Sequence, residues 1–263
     1  MNIETIGKHN KIIKDIRLLS SGKDHSSKFV VEGERVIGEL ASSDIDVEYL
    51  FLARSLSDER VNKIIRLFSQ KSLINIYRID DELLDNISSV NNNQGVLAVA
   101  NIPDLNTDNI KRINRILILS EIQDPGNIGT LIRSALAFGF QSVLIYAGAH
   151  PYTAKVVRSS AGAVFSIPCF YCTDQNISTW AELLQDNQFS FVTAEAHGGI
   201  DLEDLPPQKK VALVLGAEVK GIDKFWQAKS TGITIKLHPK SESLNVAIAG
   251  SIIMYKISAK DFR

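Results

Sequence analysis

Short continuous apolar runs alternate with longer stretches of helical spacing through the second half of the chain. The runs Arg115–Leu119, Ser142–Tyr146, Phe189–Ala194, Val211–Leu215 and Ile233–Leu237 are rich in Val, Ile and Leu. They predict strands buried on both faces. Between and after them, the spacing predicts helices over Ile128–Phe138, Ser178–Asp186 and Leu244–Ile257. Alternation of this kind predicts a parallel sheet covered by helices. The first hundred residues mix helical patterns with short strands. They open with a helix over Asn10–Leu19 that turns Ile13, Ile16 and Leu19 inward. The segment from Asn101 to Asn114 is polar, carries a proline and has no apolar period, so it reads as a linker. Two domains are expected, residues 1–104 and 113–263.

Composition narrows the class. The chain has 263 residues, 44% of them hydrophobic and 22% charged, which supports a packed core rather than disorder. Lys and Arg number 29 against 30 Asp and Glu, for a net charge of -1. Bulk positive charge therefore cannot hold the protein on nucleic acid, though a local basic face can. One such face is present: Lys8, Lys11, Lys14 and Arg17 recur every third residue. Between Met1 and Lys28 there are six Lys and Arg against three Asp and Glu. The face reads either as a solvated helix surface or as a stripe of phosphate contacts.

Only two cysteines occur, Cys169 and Cys172, so no disulfide framework exists. The first residues lack the order of a signal peptide, and the apolar stretch Val246–Tyr255 is about half a membrane span. A soluble cytoplasmic protein is expected, with no membrane partner.

In a parallel α/β sheet, ligands bind where loops leave the carboxyl ends of the strands. Three such loops are unusual here. After the first strand comes Asp124-Pro125-Gly126-Asn127-Ile128-Gly129, with a helix beginning near Asn127 and Arg133 in its first two turns. A helix start with small residues suits a polar ligand, and equally an ordinary Asn cap. The fourth strand is followed by Gly216-Ala217-Glu218-Val219-Lys220-Gly221. No Lys-Ser/Thr pair follows Gly221, so this is not a Walker phosphate loop, and Glu218 favours a neutral or cationic ligand. After the fifth strand, Ser243 is placed to cap the last helix, with Asn245 just inside it.

Taken in order, these three segments resemble the three motifs of the SpoU/TrmH-type RNA 2′-O-ribose methyltransferases of the SPOUT superfamily. The first motif is matched by Asn127-Ile128-Gly129 with Arg133, the second by Gly216-Ala217-Glu218 and Gly221, and the third by Ser243-Leu244-Asn245-Val246-Ala247. The resemblance extends to Lys155–Gly162 and, more loosely, to Phe29–Gly33 and Gln94-Gly95-Val96 in the first half. It implies an α/β fold in which a trefoil-knotted parallel-sheet SPOUT domain follows a small ribosomal-protein-like α/β domain that binds the RNA substrate. It further implies S-adenosylmethionine as cofactor, held largely by main-chain groups at Gly216, Gly221, Ile235 and Leu244. Catalysis would fall to Arg133, Asn127, Glu218, Ser243 and Asn245. The partners implied are ribosomal or transfer RNA, through Lys8, Lys11, Lys14 and Arg17, and a second copy of the chain in a homodimer.

The family commonly has Ile-Pro-Met and then a Gly in the third region, where this chain has Ile235-Lys236-Leu237-His238-Pro239. A proline in place of that glycine fixes φ and removes an N–H, so weaker cofactor contact is expected at the rim of the pocket.

Other motifs carry less. Cys169-Phe170-Tyr171-Cys172 has no second ligand pair and sits in strand-like sequence, so packing is expected and no metal site. No GxGxxG follows a predicted strand, which argues against a nucleotide-dependent oxidoreductase. Gly126-Asn127-Ile128-Gly129 matches a GXXG clamp of KH type, but such a loop normally joins two helices. A catalytically silent RNA-binding protein of the same fold is the remaining alternative.

Overall fold

The computed structural model of the chain describes residues 3–20, 27–71, 74–90, 93–217 and 221–259. In chain order its first elements are β1 (Ile3–Thr5), α1 (Lys11–Ser20), β2 (Lys28–Glu32), α2 (Glu34–Ser42), β3 (Val47–Ala53), α3 (Asp58–Leu67), β4 (Asn75–Ile79), α4 (Asp81–Ile87) and β5 (Val96–Asn101). After one turn of 3-10 helix at Thr107–Arg112 come β6 (Arg115–Ser120), α5 (Pro125–Ala137), β7 (Ser142–Tyr146), α6 (Ala154–Ser159), β8 (Cys169–Cys172), α7 (Ile177–Asp186) and β9 (Ser190–Ala194). The last are β10 (Ile200–Asp201), β11 (Val211–Gly216), α8 (Lys224–Gln227), β12 (Thr231–Thr234) and α9 (Val246–Ser258).

The chain forms two compact units. Met1–Asp104 groups with Tyr152–Ser166, and Leu105–Pro151 groups with Ile167–Arg263. The sequence reading puts 152–166 in the C-terminal domain. Its aromatic side chains instead join the first unit, where Phe29 packs on Tyr152 at 4.9 Å and on Phe165 at 6.1 Å between ring centroids.

The first unit is built on a mixed sheet in the order β1-β4-β3-β5-β2. Strands β1, β4 and β3 run parallel, while β5 is antiparallel to both β3 and β2. Helix α1 packs as its spacing predicts: Ile13 and Ile16 are buried, and Lys11, Lys14 and Arg17 are exposed. Leu19 is only half-buried. Lys8 is exposed ahead of the helix, whose first turn is capped by Asn10 Oδ1 accepting from the Ile12 N–H at 2.9 Å.

The second unit is a sheet of seven parallel strands in the order β10-β12-β9-β11-β6-β7-β8. Strand β7 is buried at every position, β6 and β11 at all but one end residue each. Each buried Leu, Ile or Val contributes about 1.5–3 kcal/mol, which is why these runs take the centre of the sheet. The expected linker is not featureless, because Ile110 is buried against the core beside Trp180 and Trp226. Helix α9 lies close to the sheet through Gly250. A Cβ there would come within 2.5 Å of Leu215 Cδ1 and 2.6 Å of Leu131 Cδ2. Ser134 and Ser251 join α5 to α9 through a 2.8 Å hydrogen bond between their hydroxyls.

One strand is displaced from its expected place. The apolar run 233–237 belongs to the sheet only up to Thr234, and β12 begins earlier, at Thr231. Beyond Thr234 the chain leaves the ladder, since β12 pairs with β9 only as far as Ile233 and with β10 only as far as Thr234. No helix among the described residues is long and apolar enough to cross a membrane.

Both cysteines are buried in β8. Burial pushes the Cys169 thiol far above its ordinary range, and burial with nearby Asp174 pushes Cys172 up to about 12. A thiol of raised pKa stays protonated and unreactive at pH 8. Ellman's reagent at pH 8 is therefore expected to react with neither cysteine in the native protein and with both in denaturant. Rapid labelling of the native protein would contradict the packing role.

Candidate active site

Because the sheet of the second unit is wholly parallel, the loops after β6, β9, β11 and β12 all emerge at one edge. The loops after β9, β11 and β12 enclose a cavity of about 350 Å³. Its wall includes Gly216, Gly221, Ile235, Ser243, Leu244 and Asn245, all singled out in the sequence, together with apolar side chains such as Leu215 and Ile233. Residues of the second and third motifs, far apart in sequence, thus meet at one wall, while Asn127, Ile128, Gly129 and Arg133 of the first do not line it.

Gly216 ends β11 where no side chain fits. A Cβ there would fall on the carbonyl of Gly221 and come within 2.8 Å of the Ile222 Cα. Gly221 takes φ 71°, a conformation that favours glycine, and its N–H donates to the Ala217 carbonyl at 2.8 Å. Ala217 and Gly221 are thereby held together, and both line the cavity. Glu218 lies outside the described residues.

Burial alternates along the chain after β12. Ile235 and Leu237 face the cavity, while Lys236 is exposed and forms an ion pair with Asp201. The Lys236–Asp201 pair lowers the pKa of the Asp201 carboxyl and raises that of the Lys236 ammonium. The sequence reading expects Pro239 to weaken cofactor contact at the rim of the pocket. Pro239 is not part of the cavity wall; it follows His238 in a turn closed by the Ser241 N–H donating to the His238 carbonyl at 2.8 Å. That is the second position of a turn, where a fixed φ is favourable and no N–H is needed.

The caps also differ from the sequence reading. Helix α5 starts at Pro125 rather than near Asn127, with Asp124 as its cap, accepting from the Gly126 N–H at 2.7 Å. Proline at the first helical position and Asp before it explain the earlier start. For α9 the cap is Asn245, not Ser243. Asn245 Oδ1 accepts from the N–H groups of Ala247 at 2.9 Å and Ile248 at 3.3 Å. Ser243 is exposed in the loop before the helix, and its carbonyl accepts from the Ser241 hydroxyl.

The amide of Asn245 does a second job. Its Nδ2 donates to Asn127 Oδ1 at 3.1 Å, tying the first motif to the third across 118 residues of sequence. Arg133 is not brought to the cavity wall within this chain. It is the ninth residue of α5, so it lies in the third turn rather than the first two. It is exposed on the same face as Thr130 and Leu136 and has no ion pair among the described residues.

Sequence reasoning missed Glu195 and Glu242, whose residues line the same cavity. The available signal was position, since Glu195 directly follows a strand. The basic residues Lys8 and Arg17 border a separate cavity in the first unit, which Asp80 and Glu82 also line, so the basic face is interrupted by acids.

The site fits S-adenosylmethionine in its chemistry. Its wall is mostly apolar, it offers backbone at Gly216 and Gly221, and it carries no Lys or Arg among the described residues that would select a phosphate.

Comparison with known proteins agrees with this geometry. Residues 10–98 match the MRM3-like substrate binding domain and residues 114–255 match the SpoU rRNA Methylase family. The 23S rRNA (guanosine(2553)-2′-O)-methyltransferase RlmP of Bacillus subtilis is 25% identical over 252 residues, 94% of this chain and 96% of its own. The AdoMet-bound rRNA methyltransferase of Sinorhizobium meliloti superposes with a TM-score of 0.84 at 20% identity, covering 98% of each chain. The SpoU methyltransferase AviRb of Streptomyces viridochromogenes, solved with AdoMet, gives a TM-score of 0.84 at 24% identity, covering 97% of this chain and 99% of its own. With more than half of its length matched by the family that these loops resemble, the chain belongs to the SpoU rRNA methylase family.

Proposed function

We propose that this protein methylates a ribose 2′-hydroxyl of RNA, with S-adenosylmethionine as donor and ribosomal RNA as substrate. The observation that carries this reading is the cavity to which the second and third motif loops both contribute, tied to the first motif by the Asn245–Asn127 hydrogen bond, with no Lys or Arg at its wall among the described residues. Ribosomal RNA is favoured over transfer RNA because the Bacillus subtilis relative, matched over nearly its whole length, is named for 23S rRNA. In this reading residues 1–104 present the RNA and residues 113–263 carry out the transfer. The trefoil knot comes with the resemblance, supported by the parallel sheet and by the solved proteins that share the fold.

S-adenosylmethionine supplies a methyl group already activated by its sulfonium charge. Main-chain groups at Gly216, Gly221, Ile235 and Leu244 hold the cofactor. Asn245 fixes the start of α9 and, through Asn127, the start of α5. Asn127, Glu218, Ser243 and Asn245 orient Arg133, the ribose or both. Negative charge grows on the 2′-oxygen during attack, and Arg133 stabilises it. A guanidinium keeps its proton, so Arg133 acts through charge, and the hydroxyl proton leaves to a phosphate oxygen or water.

Arg133 does not line its own chain's cavity, which supports a homodimer. Helix α9 exposes Ile248, Ile252 and Tyr255, and α5 exposes Leu136. Residues 248, 252 and 255 are spaced by four and three, so they form one stripe along the helix. Phe138, the C-cap of α5, meets Tyr255 of α9 edge-on at 5.7 Å. A second copy covering this stripe would lie beside Arg133. The cytoplasm is the compartment assigned.

Three outcomes test the reading. Arg133→Ala should lower methyl transfer about a hundred- to a thousandfold, the cost of losing one charge-stabilising donor, while S-adenosylmethionine binding by calorimetry is unchanged. A folded variant keeping a tenth of the activity would remove Arg133 from the mechanism.

Gly216→Ala should abolish measurable S-adenosylmethionine binding, because its Cβ must displace the backbone of Gly221. Retained binding with a normal melting temperature would place the cofactor elsewhere.

Replacing Lys8, Lys11 and Lys14 together by Gln should weaken RNA binding. It should also flatten the log–log salt dependence by about two units, with roughly 0.7–0.9 from each lost phosphate contact. An unchanged slope would make the stripe a solvated surface.

A further inference from the structure

The proposed function leaves three segments singled out in the sequence without a specific role: Phe29–Gly33, Gln94-Gly95-Val96 and Lys155–Gly162. In the first unit they come together around a second cavity, of about 250 Å³, with Glu32, Gly33, Gln94 and Arg158 in its wall. Arg35, Val36 and Val90 also line it.

Glu32 ends β2, and its side chain is only 4% exposed. Its Oε1 accepts from the Ser89 N–H at 2.8 Å and its Oε2 from the Ser89 hydroxyl at 2.5 Å. The cation paired with it, Arg158 Nη1, stands 3.8 Å away, beyond hydrogen-bond distance. An ionised carboxylate has about four acceptor sites, so a buried charge here keeps room for further N–H donors. Arg158 itself is exposed, and its one hydrogen bond to a side chain among the described residues, to Ser89 Oγ at 3.5 Å, is long. Beside them Gln94 Oε1 accepts from the Glu34 N–H at 2.7 Å, which fixes the amide over the start of α2.

The charges at this wall do not cancel. Glu34 is paired with Arg60, outside the wall. Arg35 is exposed and has no ion pair among the described residues. That leaves Arg35 and Arg158 against Glu32. Asn91 and Asn92, which follow Val90 in sequence, carry no charge. A free phosphate buried in the cavity would meet the Glu32 carboxylate and two valines, all unfavourable to it. A nucleobase suits all of them: its faces are apolar, its edge donates N–H to a carboxylate, and its flanking phosphates are left for the exposed arginines. The volume lies below the ~300–1,000 Å³ of sites for drug-sized ligands, as expected for one flat ring system.

We propose that this cavity takes one unpaired nucleobase of the RNA substrate, with Glu32 and Gln94 meeting its polar edge and Arg35 and Arg158 its flanking phosphates. The inference rests on the proposed function for RNA as substrate, and assigns the first unit a site that reads a single-stranded feature rather than a duplex backbone alone.

The test is fluorescence anisotropy with a short single-stranded RNA of mixed sequence and with its perfect duplex, each over a range of salt. Val90→Phe fills the cavity without changing charge. It should weaken single-strand binding about tenfold, the cost of one hydrogen bond to a charged group, with the salt slope and duplex binding unchanged. Arg35→Gln and Arg158→Gln should each flatten the log–log salt dependence for the single strand by roughly 0.7. Unchanged single-strand affinity in a folded Val90→Phe protein overturns the proposal, as does an equal loss on single strand and duplex. If Val90→Phe fails to fold by circular dichroism, the arginine variants still decide: an unchanged salt slope in both overturns the proposal. Wild-type protein that binds S-adenosylmethionine but neither RNA overturns RNA as the substrate, a result separate from any difference among the variants.

Discussion

At the end of β11 the main chain of Gly216 lies against that of Gly221 and Ile222, too close for any Cβ. The shape of the site follows from this contact. It brings Gly216 and Gly221, at the two ends of the loop after β11, side by side at the cavity wall. A ligand held by peptide groups is recognised through hydrogen-bond pattern and shape, with no side-chain charge required. Gly250 imposes a similar constraint one layer away, bringing α9 down onto Leu215 of the same strand. Two missing side chains, one at each level, set the depth at which the C-terminal helix and the loop before it pack on the sheet.

Asn245 links that packing to the rest of the site. One side-chain amide caps α9 with its oxygen and reaches Asn127 with its nitrogen. Capping and site assembly are therefore the same interaction, and reading the residue as either a cap or a site residue is a false choice. Removing the amide would leave helix N–H groups without their acceptor and separate two loops at once. The loop after β12 is held from the other side by the Lys236–Asp201 ion pair. Lys236 itself is solvent-exposed, so that tie weakens as salt rises.

Charge is distributed with a consistent logic across the second unit. The cavity wall holds acids, and the arginine proposed to face the reacting oxygen is kept off that wall on an exposed turn of α5. A guanidinium inside the cavity would repel a sulfonium. The separation of Arg133 from its own cavity is thus a reason to expect two chains per functional unit.

The sequence by itself determined the elements of the second unit and the order of its motifs. Apolar runs such as Val211–Leu215 are long enough, and apolar enough, to be buried on both faces in only one kind of sheet. The glycines and asparagines after them mark the loops. It also determined the inward face of α1, because Ile13 and Ile16 at a three-residue spacing have nowhere else to go. The caps were misplaced because Ser243 and Asn245, or Asp124 and Asn127, are equally good acceptors locally. Only the path of the chain into each helix selects among them. Tertiary structure alone decided that Tyr152–Ser166 packs with the first unit and that 235–237 leaves the sheet to line the cavity. It also decided that Pro239 takes the second position of a turn outside the cavity wall and that Glu195 rests on Gly232. Each of these depends on a partner distant in sequence, such as Phe29 for Tyr152 or Gly232 for Glu195. Local pattern carries the preference of a segment for burial or exposure, but the identity of the surface it meets is set by the packing of the whole unit.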